Sequence, residues 1–167
     1  MQLLDRVLSN INLCGVELAF QGDALHSVIE GWQPFYNSQF ENTDFQKVYA
    51  SLSSIDFSEE STESKAGTSY KQKAVFRFPN SDPYRADRIA LLMNAKFIKL
   101  KQTNGLDIVI GRNDINQNSK PKRTIKQNHQ LAEFTFESSS IFASGYTPNF
   151  NVFGLPVFIP LNLITTP

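Results

Sequence analysis

The chain has one cysteine, Cys14, so it can form neither an intrachain disulfide nor a multi-cysteine zinc site. Charged residues make up only 19% of it, against about 25% in ordinary globular proteins. Its surface must therefore be covered largely by neutral polar groups or by partners. Net charge is also missing: sixteen Lys and Arg balance sixteen Asp and Glu, which argues against a generic nucleic-acid binder. No run approaches the roughly 18 apolar residues that cross a bilayer. Residues 1–10 carry Asp5 and Arg6 and do not read as a secretory signal. These absences predict a soluble protein made in a cytoplasm, with no membrane partner. Phosphate loops, nucleophile elbows and helical zinc pairs are lacking, and His26 and His129 are the only histidines. The expectation is a chain without catalytic residues, metal or cofactor.

What is present is enough for one domain. A chain of 167 residues buries a real core without staples. Its twenty aromatics, fourteen of them Phe, favour sheet over helical bundle. The zero net charge conceals a polarity. Residues 1–64 hold ten acids and two bases, a net −8, and residues 65–126 hold fourteen bases and four acids, a net +10. After Glu137 come thirty residues with no charge. Blocks of opposite sign often end on different faces.

Periodicity places the elements. Residues 11–20, INLCGVELAF, read as extended, with Cys14, Val16, Leu18 and Phe20 on one face. Residues 47–57 read as a strand, and 58–69, SEESTESKAGTS, as a mobile loop without apolar periodicity. YKQKAVFRF (70–78) alternates with Tyr70, Gln72, Ala74, Phe76 and Phe78 inward. A helix over 82–94 follows, capped by Asn80 or Ser81, with Ile89, Leu92 and Met93 inward. KFIKLK and LDIVIG form a hairpin about Asn104-Gly105, which exposes Lys99 and Lys101. Residues 112–128 read as a long polar, basic loop, and 131–137 as a strand with Ala132, Phe134 and Phe136 inward. The fold class is α+β, mainly β: an antiparallel sheet or sandwich with one packed helix. Residues 1–137 form the domain. Residues 138–167 form an uncharged arm, broken by Pro148, Pro156 and Pro160, which suits a strap or edge better than a sheet interior.

Three groups could carry chemistry. Asn113 to Asn118 alternate oxygen ligands like half a calcium loop, but Ser119 and Ile125 stand where the glycine and glutamate belong, so the geometry fails. Lys96, Lys99, Lys101, Arg112, Lys120, Lys122, Arg123 and Lys126 could make a phosphate-binding face. No aromatic is interleaved in 112–128, so base stacking has no platform there. Trp32, Phe35 and Tyr36 suit core packing or an interface anchor better than a ligand platform.

The succession NLCGVELAFQGDAL, EGWQPFY, VFRFPNSDPYRADRIALLMNAKFIKLKQTNGLDIVIGRNDINQN, SSSIF and GLPVFIPLNLI resembles small tail or neck proteins of tailed bacteriophages, particularly phages of Bacteroidetes-like hosts. The resemblance implies a non-enzymatic virion component that forms a ring: a terminator, connector, tube or baseplate subunit. Its partners would be copies of itself and other tail or neck proteins. The alternatives are a nucleic-acid-associated protein using the 96–126 basic surface and a small β-rich ligand-binding module. The charge polarity predicts head-to-tail contacts between unlike patches, with Glu59, Glu60 and Glu63 on the acidic side and Lys120, Lys122 and Arg123 on the basic side. The arm would pack on a neighbour through Phe150, Phe153, Leu155, Phe158, Ile159 and Leu161, each contributing roughly 1.5–3 kcal/mol when buried.

Overall fold

A computed structural model describes residues 12–21, 23–24, 40–41, 43–111, 120–140 and 143–148. The elements in chain order are β1 (Leu13–Ala19), β2 (Asp23–Ala24), β3 (Phe40–Glu41), β4 (Gln46–Val48), a 3-10 turn (Leu52–Ser54), β5 (Asp56–Ser64), β6 (Gly67–Pro79), α1 (Arg85–Leu92), β7 (Phe97–Gln102), β8 (Leu106–Ile110), β9 (Lys122–Gln127), β10 (Leu131–Ser140) and β11 (Gly145–Pro148). Two antiparallel sheets carry the fold, in the orders β11-β8-β7-β1-β4 and β5-β6-β10-β9, beside the small β2-β3 pair. The fold is mainly β with one α-helix among the described residues, as the sequence predicts.

The sheets meet through their alternating apolar positions. Val16, Leu18, Ile98, Leu100, Ile108 and Ile110 of the five-stranded sheet share one buried cluster with Ala74, Phe76, Phe78, Ala132, Phe134 and Phe136 of the four-stranded sheet. Side chains two apart share a face, so this cluster fixes the inward side of both sheets. Phe76 and Phe134 stand at its centre, fully buried, with ring centroids 5.2 Å apart and tilted by 48°. Leu92 and Ala95 join the same cluster, so α1 and the turn after it cover part of the core. Asp82 opens the helix by accepting a hydrogen bond from the Tyr84 amide at 2.9 Å. The cap expected at Asn80 or Ser81 is not formed. Asn80 is instead buried, its amide donating to Gln130 O at 2.9 Å and its side chain to Asn128 O at 3.3 Å. Met93, expected inward, is exposed beyond the helix end.

Four segments differ from the sequence reading, each for a physical reason. Residues 58–69 are not a loop: they form the outer half of the β5–β6 hairpin, turning at Lys65 and Ala66. Both faces of this hairpin tip are exposed, so no apolar alternation marks it. It is held by backbone pairing, by Ser64 Oγ donating to Gly67 O at 3.0 Å and by Gly67 at φ +116°, a conformation glycine adopts readily. The strand expected over 47–57 is broken because the chain changes sheets there. β4 belongs to one sheet and β5 to the other, and the 3-10 turn between them is pinned to β6 by Ser51 N to Arg77 O and Arg77 N to Ser54 Oγ, both 2.9 Å. The polar stretch 112–128 contains β9, an edge strand in which Ile125 packs against the core. The uncharged C-terminal stretch begins inside the domain: β10 runs to Ser140, and β11 pairs with β8. Phe150, Phe153, Leu155, Phe158, Ile159 and Leu161 lie outside the described residues.

Two further departures concern single positions. Cys14 is exposed although Val16 and Leu18 are buried, because the β1–β7 register shifts between Leu13 and Gly15 and the extra residue leaves the alternation. Lys99 and Lys101 are partly buried, not exposed. Their face of the five-stranded sheet also holds buried Phe97, Asp107 and Val109, and a lysine there requires an anion. Lys99 has Glu17 at 3.4 Å and stands 3.9 Å from the Phe45 ring centroid, and Lys101 has Asp107 at 2.7 Å.

Candidate functional site

A part of each charged block comes to rest at an edge of one sheet: the acids of β5 at one side and the bases of β9 at the other. β5 is the first strand of the four-stranded sheet and β9 the last. The solvent-facing side of β5 carries Asp56, Ser58, Glu60 and Thr62, which pair in register with Val75, Lys73, Lys71 and Ser69 of β6. The solvent-facing side of β9 carries Lys122, Thr124 and Lys126, which pair with Glu137, Thr135 and Glu133 of β10. β10 in turn sets Glu137 against Lys73 and Glu133 against Arg77.

The sign of the charge therefore alternates strand by strand: acidic β5, basic β6, acidic β10, basic β9. Opposite charges directly across a sheet stabilise the pairing and like charges oppose it. Arg77 and Glu133 are in contact, Nη2 to Oε2 at 2.8 Å, and Lys73 reaches Glu137 at 4.0 Å. Both pairs are partly exposed, so each contributes no more than about 1 kcal/mol. Their weight lies in the pattern. The two outer members of the ladder, acidic β5 and basic β9, have a partner strand on one side only among the described residues.

The six predicted charged residues divide between two roles. Glu60, Glu63 and Lys122 are exposed on the two edge strands, and Lys120 is exposed just before β9. Glu59 and Arg123 point to the core side of their strands and serve the domain itself. Glu59 Oε2 accepts from Gln72 Nε2 at 3.0 Å and from the Ser144 amide at 2.6 Å, tying β5 to the segment that leads into β11. Arg123 donates to the Ala95 carbonyl at 2.9 Å. Sequence reading missed Asp56 and Lys126 as edge charges, and only the strand register identifies them.

The other candidates are dispersed. The described basic residues between 96 and 126 do not form one face, and Arg112 lies outside the described residues. Lys99 and Lys101 lie on the outer face of the five-stranded sheet and are paired with carboxylates, whereas Lys122 and Lys126 lie on the outer face of the other sheet. Lys96 stands 5.5 Å from the Phe97 ring centroid. His129 is exposed in the β9–β10 turn. The oxygen-rich segment 113–118, His26, and the Trp32, Phe35 and Tyr36 group lie outside the described residues. Among the described residues no cluster of His, Cys, Asp and Glu could hold a metal ion, and no helix is long and apolar enough to cross a membrane. An open groove of about 500 Å³ runs between Phe20, Val48, Tyr49, Phe78 and Leu92, with the Asp82–Arg88 ion pair at its edge. Arg88 also lies 5.9 Å from the Phe78 ring centroid and donates to Pro79 O at 3.0 Å, so it braces the start of the helix against β6.

Compared with protein-family models, curated proteins and solved structures, the chain matches none.

Proposed function

We propose that this chain is a non-enzymatic structural subunit that assembles head to tail with copies of itself, in the ring of a phage tail or neck. The observation that carries the reading is the placement of a negative and a positive edge at the two ends of one four-stranded sheet. A molecule with unlike patches on opposite sides makes heterologous contacts, and heterologous contacts close into rings when the rotation per step allows. Two acidic edges repel, as do two basic ones, so an isologous dimer through either edge is disfavoured. The setting within a virion rests on the sequence resemblance to small tail and neck proteins. The uncharged stretch from residue 149 onward, rich in Phe and Leu, supplies a second contact with a neighbouring subunit or another virion protein.

The test is the mass of the full chain at physiological ionic strength, by native mass spectrometry, with negative-stain electron microscopy of the same sample. The expected result is a single multiple of the 18.9 kDa chain and annular particles. A monomer at every accessible concentration would remove the reading.

A further inference from the structure

We propose that copies of this chain join sheet edge to sheet edge, β9 of one copy adding antiparallel to β5 of the next, with Lys122 against Glu60 and Lys126 against Asp56 of the next copy. The proposal rests on the assembly reading above and specifies its joint. Strand direction permits it directly. The four strands alternate in direction across the sheet and are even in number, so β5 and β9 run oppositely. A second copy placed beside the first without inversion then presents β5 antiparallel to β9, and the sheet continues by its own rule.

Charge selects one register. With Lys122 opposite Glu60, antiparallel counting puts Thr124 opposite Ser58 and Lys126 opposite Asp56. Both lysines then meet carboxylates and two small hydroxyl residues meet between them. On the core side the same register brings Ile125 opposite Phe57, two half-buried side chains that already pack against the core from the two edges. A slip of two residues in one direction sets Lys122 against Thr62 and Lys126 against Ser58; in the other it sets them against Ser58 and Ser54. Either slip loses both ion pairs. A slip of one turns the lysines to the opposite face from the carboxylates.

Edge charges usually prevent sheet edges from joining. Here they do so only for like edges, because the two edges differ in sign. The joint also carries a stagger. Lys122 is in line with Glu137, Lys73 and Ser58 of its own copy but would meet Glu60 of the next. Each step thus advances two residues along the strand, roughly 7 Å, and a consistent stagger of this kind accompanies the strand tilt of a closing sheet.

The experiment is disulfide trapping in full-length chain with Cys14→Ser, which removes the only native thiol. Ser58→Cys and Thr124→Cys are introduced together. Within one copy they sit three strand spacings apart, about 14 Å, beyond the reach of a disulfide. Mild oxidation should therefore give a ladder of covalent oligomers. The off-register pair Thr62→Cys with Thr124→Cys, displaced by four residues on the same face, should give at least tenfold less. All positions are polar and outside the core, and circular dichroism checks folding. Equal ladders from both pairs would overturn the register. No ladder from either pair, while native mass still reports the oligomer, would overturn the joint and leave assembly standing. A monomeric parent chain would overturn both.

Discussion

Glu60 and Lys122 stand on the two outermost strands of one four-stranded sheet and on the same solvent-facing side of it. Between them lie the basic row of β6 and the acidic row of β10. The sheet is thus an alternating series that ends in an unlike pair of edges. Under the proposed edge-to-edge joint, this relationship gives assembly a direction, a register and a sensitivity to salt. Surface pairs of this kind are each worth about 0.2–1 kcal/mol, and salt screens them over a Debye length of roughly 8–10 Å. Assembly should accordingly weaken by about tenfold or more between low and high ionic strength, as read by sedimentation velocity.

The domain's own stability depends chiefly on the aromatic layer between the sheets. Phe76 and Phe134 are both fully buried, and either substituted by Ala leaves a cavity that the packed sheets cannot close. The expected cost is about 3–5 kcal/mol in denaturant unfolding. A loss below about 1 kcal/mol would mean that the two sheets do not share this core.

Gly111 carries a sharper constraint. It ends β8 at φ +100°, and an added Cβ would lie 2.5 Å from the Lys96 carbonyl oxygen and 3.0 Å from the Phe136 ring. The first contact is backbone, which cannot rotate away. Gly111→Ala should destabilise the fold by at least about 2 kcal/mol. Gly67→Ala shares the positive φ but meets nothing within 4 Å, so it should cost less. The two midpoints, measured side by side, separate crowding from backbone strain.

The Asp82–Arg88 pair gives a pH signature. The Arg88 guanidinium beside Asp82 holds its carboxyl below the usual carboxylate range. A depressed folded-state pKa adds stability that is complete above the unfolded value, about 3.9, and is lost as pH falls through the folded value. The contribution is therefore present near neutrality and fades only in acid. Asp82→Asn should lower the melting temperature slightly at pH 7 and not at all well below the folded pKa. An equal deficit at both pH values would assign the effect to the helix start alone.

The sequence made some of this architecture legible and hid the rest for identifiable reasons. Strands buried on one side, such as β6 with Phe76 and Phe78 or β10 with Phe134 and Phe136, show the two-residue period plainly. The β7–β8 hairpin is marked by Asn104-Gly105. The hairpin tip of β5 and β6 carries no such period because it is wet on both faces. β9 shows one core-facing apolar residue, Ile125, so it reads as loop. The charge blocks are visible as composition, and Glu60 and Lys122 are among the contact candidates that composition suggests. Their placement at opposite edges of a single sheet depends on the strand order β5-β6-β10-β9, whose β6–β10 pairing joins residues as far apart as Tyr70 and Ser140 and has no local signal.

The C-terminal stretch supplies a separate prediction. β11 belongs to the five-stranded sheet, so a truncation that spares the fold must come after Pro148, not at residue 140. The chain ended there should remain folded, become more soluble and assemble less well. Unfolding of the truncated monomer, seen by circular dichroism, would place residues 149–167 in the core and remove the proposed arm.

The most direct test mixes two variants. Lys122→Glu with Lys126→Glu makes both edges acidic, and Asp56→Lys with Glu60→Lys makes both basic. Each alone should lose about ten- to a hundredfold in assembly, on the order of 1.4–2.8 kcal/mol. Mixed in equal amounts, every junction again joins an acidic to a basic edge, so the native mass should return to an oligomer with the two variants in equal number. If either variant alone assembles like the parent, or the mixture stays monomeric while both remain folded, the edges are not the joint.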